Sequence, residues 1–152
     1  MSLFDRAISR YHEAPYLLRL MAGASIALGI GAPLMTAIPI ARFNIDGTEM
    51  TWEEVWRNHQ ALAILMLGLT MLAIGANILR RKQWVRLPII ALPALQYLPF
   101  QIVHWVFNSS PDPVPSIDRY LLIVGLWALF SAIYLYGFRS VRDYFSVGMA
   151  PG

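Results

Sequence analysis

A long run without a single charge constrains this chain more than any other feature. Residues 61–79 are aliphatic side chains, glycine and methionine, interrupted only by Thr70 and Asn77. At about 1.5 Å per residue, a helix of this length crosses a hydrocarbon core of roughly 30 Å. The basic cluster at residues 80–82 then stops the helix at a membrane surface. The chain is therefore predicted to be an integral membrane protein.

The same helix is predicted to begin in water, before the apolar run. Thr51 and Glu54 are spaced as a capping box, in which both side chains satisfy exposed backbone donors at a helix start. We therefore expect one continuous helix over residues 51–82. Its first turns form a helical extension on the outer side of the membrane, before the second span, and offer a surface to a partner protein.

Charge is scarce along the whole chain and lies beside the apolar runs. Charged residues make up 14% of the sequence, against about 25% in soluble domains, and hydrophobic residues make up 57%. The net charge of +3 does not indicate nucleic-acid binding, because the cations flank membrane segments, where they set orientation. The absence of cysteine excludes disulfides, thiolate metal sites and thiol redox chemistry.

Four apolar segments predict an all-α integral membrane protein, a bundle of four transmembrane helices in a single domain over residues 1–152. A short N-terminal interfacial helix precedes the first span and ends at Pro15. A polar loop with a turn at Asp46-Gly47 is predicted between the first two spans. The predicted spans are residues 16–40, 59–80, 86–107 and 117–138.

Prolines are predicted to shape the second half of the chain. Pro93 and Pro99 each remove a hydrogen bond inside the third span, so a kink is expected at both. Residues 108–116 contain three further prolines and are predicted to form an extended loop. A basic tail with Arg139 and Arg142 follows the fourth span.

Lysine and arginine are unequally distributed between the two ends of the predicted bundle. Nine of the twelve lie in the N-terminal segment, the turn at residues 80–86 and the C-terminal tail, and three lie in the opposite loops. Because basic residues are retained on the cytoplasmic side, we expect both termini in the cytoplasm. The predicted location is a bacterial cytoplasmic (inner) membrane.

Small residues recur at helical spacing in three of the predicted spans. Lipid provides no hydrophobic drive for helix pairing, so small residues mark places where two backbones approach closely. The first span also carries a second series on another face, Ser25 and Gly29. The predicted packing residues are Gly23, Ala27, Gly31, Ala61, Gly68, Gly75, Gly125, Ala128 and Ala132.

Two histidines are predicted to lie at one level of the hairpin that spans two and three form. Counted from the turn near residue 83, His59 and His104 stand at heights of roughly 36 and 32 Å, both on the outer side. Tyr97, Gln101 and Asn108 share one helix face with His104. This face is the candidate binding site of the chain.

Three kinds of cofactor site are consistent with this layout. Two imidazoles from neighbouring helices can ligate haem b axially. They can bind copper or another metal that accepts imidazole, with help from Met66. Alternatively, His104 and Gln101 can hydrogen-bond a quinone carbonyl between the aromatic rings of Tyr97 and Trp105.

A purely structural role for the two histidines is the interpretation we favour. In that case His59 lies among the lipid headgroups, and His104 bonds a neighbouring helix or a carbonyl freed by Pro99. Each helix offers only one histidine, and no spacing fixes how the helices are rotated. We therefore expect no cofactor, with haem b, copper or quinone as the alternatives.

Function is predicted from what the spans contain and lack. No Asp, Glu, Lys or Arg lies deep within a predicted span, which argues against an ion-coupled pump, and no nucleotide-binding or hydrolase motif occurs. We expect a small accessory subunit without catalytic activity of its own, which packs within an energy-converting or oxidoreductase membrane complex such as one of electron transport. Its expected partners are the lipid bilayer and other integral-membrane subunits, and no nucleic acid. The alternatives are a redox membrane protein that uses His59 and His104 and, third, a small-molecule transporter.

Overall fold

The computed structural model of the chain describes residues 3–45, 48–107 and 117–146, and within these ranges the protein is mostly helical. Two helices, Tyr16–Thr36 and Gln60–Leu79, are long and apolar enough to cross a membrane. Two further apolar helix pairs are sharply bent, and they raise the number of candidate spans to four if each pair is one span. A mostly helical chain with membrane-spanning candidates is therefore confirmed. The predicted turn at Asp46-Gly47 and the predicted loop at 108–116 lie outside the described residues.

The N-terminal part consists of an amphipathic helix and the first candidate span. Helix α1, Leu3–Glu13, carries an acidic residue in its first turn and basic residues in its last, which suits the helix dipole. Pro15 separates it from α2, Tyr16–Thr36, which is shorter than the predicted span of 16–40. Pro33 lies inside α2 and leaves the Gly29 carbonyl, four residues earlier, without its helical donor.

Residues 42–45 and 48–51 form two paired antiparallel strands, which we call the β-hairpin, where a polar loop was predicted. Strand β1, Arg42–Ile45, pairs with β2, Thr48–Thr51, in the register Arg42 to Thr51. The prediction of a loop was wrong because the strands are short and flank a turn dipeptide that also suits a hairpin. The described chain is therefore helical with one small two-stranded sheet, and not entirely α-helical.

The predicted helix over residues 51–82 is interrupted near its start. The capping box at Thr51 and Glu54 is confirmed, and it opens a short helix α3, Trp52–Arg57. His59 then adopts a left-handed conformation with a φ of 58°, and α4, Gln60–Leu79, begins after it. The prediction of one continuous helix was wrong, because a left-handed residue cannot continue a right-handed helix. The predicted stop is confirmed, since α4 ends at Leu79, directly before the basic cluster.

The third apolar segment is bent by 70° between two helices. A 3₁₀ turn at Gln83–Val85 leads into α5, Arg86–Ile90, and α6, Leu92–Phe107, follows after one residue. The bend lies directly before Pro93, one of the two predicted kink positions. Pro99 lies buried within α6 and does not end that helix.

The last apolar segment also ends in a sharp bend. Helix α7, Ile117–Ala132, passes into a single π-helical turn at Ile133–Gly137. Helix α8, Arg139–Ser146, then leaves at 69° and has one apolar and one charged side. Sequence reasoning identified this segment only as a basic tail.

Helix α2 and helix α4 run antiparallel and form the main packing contact of the described chain, and α6 also packs against α4. Helix α1, the turn at residues 80–86 and α8 meet at one end of the bundle, which we call the basic end. The opposite end, formed by the β-hairpin and α3, we call the hairpin end. The core at the basic end contains Leu18, Ile78, Val85, Ile89, Leu135, Val141, Tyr144 and Phe145. The core at the hairpin end contains Met50, Val55, Ala61 and Ile64.

Candidate functional site

His59 lies at the hairpin end, in the break between α3 and α4, and its side chain stacks on an aromatic ring of α6. The imidazole and the Phe107 ring are nearly parallel, at an interplanar angle of 5°, and their centroids are 4.1 Å apart. Phe107 is the last residue of α6 and follows His104 by three positions. The contact therefore places His59 beside the final turn of α6, which also carries His104. A cofactor held by the two histidines stays a prediction.

The other two predicted binding residues lie on α6, with half-exposed side chains. Tyr97 and Gln101 are both partly buried, as is His104. Gln101 borders a shallow, mostly apolar concavity of about 320 Å³. Its described lining is Leu98, Gln101, Ile102, Trp105 and Val106. Across the described ranges, no three His, Asp or Glu side chains converge as metal ligands would.

Two tryptophans of α3 form hydrogen bonds that connect the hairpin end to α2. The indole N–H groups of Trp52 and Trp56 both donate to the backbone carbonyl of Thr36, at 2.8 and 3.0 Å. Thr36 is the last residue of α2, so its carbonyl has no donor within the helix. Its side chain is buried and donates to the Pro33 carbonyl at 2.7 Å. Two side chains thus satisfy the helix end and hold α3 over it.

The small residues predicted on α4 lie against α2. A Cβ built at Gly68 would meet the Pro33 ring at 2.6 Å, and one at Gly75 would meet the Ile26 side chain at 2.7 Å. Ala61 is fully buried at the hairpin end. The glycine at 68 thus leaves room for the proline inside the partner helix.

On α2 the face toward α4 is the series that contains Ser25 and Gly29. A Cβ at Gly29 would meet the Leu72 backbone nitrogen at 2.7 Å and its Cα at 2.8 Å. Of the other series, Gly23 lies against Tyr11 of α1, whose hydroxyl would be 3.3 Å from an added Cβ. Gly31 has open space around it.

Ala27 is exposed, on the outward side of α2 with Gly31. Helix α7 repeats this arrangement. A Cβ at Gly125 would meet no atom of the described chain within 4 Å, whereas Ala128 and Ala132 are partly buried. Three of the predicted glycines, Gly23, Gly68 and Gly75, therefore lie against a neighbouring helix of this chain. Two others, Gly31 and Gly125, face away from the described chain.

The basic end contains an ion pair and a buried tyrosine that sequence reasoning did not identify. Arg81 pairs with Glu13 at the end of α1, and its guanidinium lies 4.9 Å from the ring centre of Tyr144. The Tyr144 hydroxyl donates to the Ile78 carbonyl at 3.1 Å. Burial raises the pKa of Tyr144, and the Arg81 charge partly opposes that effect. A hydrogen bond from Ser9, assisted by Arg81, lowers the pKa of Glu13.

Arg86, at the start of α5, is a buried cation at the same end. It is 9% exposed, and its guanidinium lies between two aromatic rings. The ring centres of Phe145 and Tyr136 are 4.8 and 5.2 Å from its Cζ. Its Nε is enclosed and has no hydrogen-bond partner. The sequence predicts an excess of basic residues at this end, but no sequence pattern indicates that Arg86 contacts the rings of Tyr136 and Phe145.

Comparisons with protein-family models, with curated proteins and with solved structures gave no match to this chain. Function is therefore inferred from the packing and the surfaces of the chain itself.

Proposed function

We propose that the chain is a small accessory subunit of a larger integral-membrane complex, in which it stabilises the assembly by helix packing. The observation that carries the proposal is the outward position of Gly31 on α2 and Gly125 on α7. Small residues in membrane helices allow close approach of a second backbone. Within the described chain, the space beside these two glycines holds no neighbour, so a helix of another subunit fits there.

The exposure of α7 supports the same proposal. Among the side chains of α7 that the structure describes, residues 121–132, only Ser131 is buried. The large exposed side chains are Leu121, Leu122, Ile123, Leu126, Leu129 and Phe130. Either lipid or protein can cover such an apolar surface. Packing against lipid does not require a glycine, whereas close approach of a second helix does. Gly125 therefore points to a partner helix on this face.

The hairpin end offers a second contact surface, outside the membrane. The β-hairpin and α3 carry exposed charges at Glu49, Glu53 and Arg57. Their position is fixed by the bonds from Trp52 and Trp56, so a partner would meet an ordered surface. A preorganised surface costs less entropy on binding.

In this proposal the chain crosses the bacterial cytoplasmic membrane four times, through α2, α4, the bent pair of α5 and α6, and α7 with its π-helical turn. The basic end, which includes α8, lies on the cytoplasmic side. The excess of lysine and arginine at that end supports the orientation. Because the chain has no cysteine, single cysteines report it directly. An impermeant thiol reagent applied to intact cells should label Glu49→Cys and spare Asp143→Cys. The reverse pattern would exclude this orientation.

The subunit role is tested by isolating the tagged chain from its native membrane in mild detergent and measuring the mass of the particle. We expect a defined complex with stoichiometric partner subunits. Gly31→Leu and Gly125→Leu should each reduce recovery of the partners severalfold, because leucine fills the space that a partner helix would occupy. Ile30→Phe, which adds bulk at the adjacent exposed position, is the matched control and should leave recovery unchanged. A homogeneous monomer or homodimer with no partner would contradict the proposal.

A further inference from the structure

Arg86 is a cation that the described chain buries without supplying an anion. The ion pairs of the described ranges are Arg57–Glu53, Arg81–Glu13 and Arg139–Asp143, and Arg86 takes part in none of them. Its contacts are the faces of Tyr136 and Phe145, which attract a cation but accept no strong hydrogen bond. A guanidinium has five N–H donors, and a buried charge without a counter-ion is costly. This environment indicates a bound anion.

The surroundings of Arg86 lie at the level of the membrane surface. Helix α5 follows directly on the turn that ends α4, and the neighbouring Trp84 is 54% exposed, as is typical of side chains in the headgroup layer. Helix α8 buries Val141, Tyr144 and Phe145 against the bundle and exposes Arg139 and Arg142. An amphipathic helix of this kind lies along the interface between acyl chains and headgroups.

We propose that Arg86 binds the phosphate of an anionic phospholipid at the basic end of the protein. The rings of Tyr136 and Phe145 hold the guanidinium in place, and its planar donors match a phosphate in a way that a lysine would not. The surrounding cations at Arg80, Lys82 and Arg142 raise the local preference for lipids that carry net negative charge. The proposal goes beyond the subunit role and does not depend on it.

A phospholipid is favoured over a carboxylate from a partner protein for two reasons. The site lies at the headgroup level, where phosphate is present at every point around the bundle. It also lies beneath an interfacial helix that contributes one of the two rings, whereas the outward glycines that indicate partner helices are on other elements, α2 and α7.

The test is a lipid titration of the purified, delipidated full chain followed by native mass spectrometry. We expect one phosphatidylglycerol to bind in preference to phosphatidylcholine. Arg86→Gln should weaken that binding about tenfold, the effect of losing one charge-assisted hydrogen bond. Arg139→Gln removes the same formal charge from an exposed side chain of α8 and should change binding less than about twofold. Arg86→Lys, which keeps the charge but not the planar fork, should give an intermediate value.

Several results would overturn the proposal. Equal binding of phosphatidylglycerol and phosphatidylcholine by the unaltered chain would overturn the proposal. This comparison needs no variant, so it tests the proposal even if Arg86→Gln fails to fold. Equal losses in Arg86→Gln and Arg139→Gln would indicate diffuse attraction instead of a site. Displacement of the lipid by millimolar inorganic phosphate would identify free phosphate as the ligand and exclude the lipid.

Discussion

The indole nitrogen of Trp127 on α7 donates a hydrogen bond of 2.8 Å to the backbone carbonyl of Ile89 on α5. Ile89 lies four residues before Pro93, so its carbonyl is the one that loses a helical donor to the proline. A side chain of another helix therefore donates to the backbone carbonyl that the proline leaves without a helical donor. This hydrogen bond links the bend between α5 and α6 to the position of α7.

Trp127→Phe should destabilise the protein by about 1–3 kcal/mol, the usual cost of leaving a buried carbonyl unpaired. Thermal unfolding in mild detergent measures the effect. Trp105→Phe is the matched control, because Trp105 is 87% exposed. Combining Trp127→Phe with Pro93→Ala should recover part of the loss, since alanine restores the missing N–H. Strictly additive effects would show that the indole and the proline are not coupled.

Gly29→Ala and Gly31→Ala make the same chemical change two residues apart on α2 and should behave oppositely. At Gly29 the new methyl group meets the Leu72 backbone, which cannot move aside cheaply, so overpacking should cost about 1–3 kcal/mol. At Gly31 there is open space, and the change should be neutral for the isolated chain. The unfolding temperatures of the two variants in detergent give the answer. Similar values for both would contradict the observed contact between α2 and α4.

Trp52→Phe and Trp56→Phe should each have a small effect and together a large one. Either indole alone still satisfies the Thr36 carbonyl, whereas the double variant leaves it without a donor. We expect amide hydrogen exchange in the β-hairpin to accelerate mainly in the double variant, because α3 is then no longer held over the end of α2. A double variant no worse than the sum of the single variants would show that the two bonds act independently.

The stability that Glu54 contributes should depend on pH in a defined direction. The Thr51 backbone N–H donates to the Glu54 carboxylate at 2.8 Å, and this bond lowers the pKa of Glu54 below its ordinary value of 4.5. Because the folded state holds this proton less tightly than the unfolded state, the contribution is complete above pH 4.5. It is lost as the pH falls through the lowered pKa. The difference in unfolding temperature between the native chain and Glu54→Gln should therefore shrink in acid.

Glu53→Gln is the control for this measurement. Glu53 is highly exposed and lies 3.9 Å from Arg57, an arrangement that contributes little to stability. The unfolding temperature of Glu53→Gln should follow that of the native chain across the same range of pH. A constant effect of Glu54→Gln at all values of pH would mean that the capping box does not stabilise the ionised carboxylate.

An absorption spectrum of the purified chain tests the alternative that His59 and His104 hold a cofactor. We expect a colourless protein, because His59 is stacked on Phe107 and is exposed. A haem band, or copper or quinone recovered in stoichiometric amount and lost in His104→Ala but not in His12→Ala, would replace the subunit role with a redox role.

Local features of the fold were predictable, and features that depend on distant contacts were not. The capping box at Thr51 and Glu54 involves four consecutive residues, so its spacing alone indicates it. The break at His59 has no such signal, because neither Asn58 nor His59 excludes a helix. It accompanies two tertiary contacts, the bonds of α3 to Thr36 and the stacking on α6.

Other differences arise where one sequence pattern is consistent with more than one structure. The segment 42–45 alternates polar and apolar residues directly before Asp46-Gly47, a pattern typical of a β-hairpin that the loop prediction did not take into account. The two small-residue series of α2 lie on different faces, and the sequence does not indicate which of them meets α4. The candidate site has the same limitation, since helical spacing places His59 and His104 at one level but does not specify the ring stacked on His59.

The contact between α1 and α8 has a consequence for biogenesis. The Tyr144 hydroxyl lies 3.4 Å from the Arg10 carbonyl, 134 residues earlier in the chain. Because ribosomes release the N-terminal part first, Leu18 and Ile78 are synthesised long before Phe145, with which they share one core cluster. A chain stalled before residue 139 would carry its apolar helices but an open basic end. An unfinished copy would therefore expose apolar surface at the basic end that a finished copy covers.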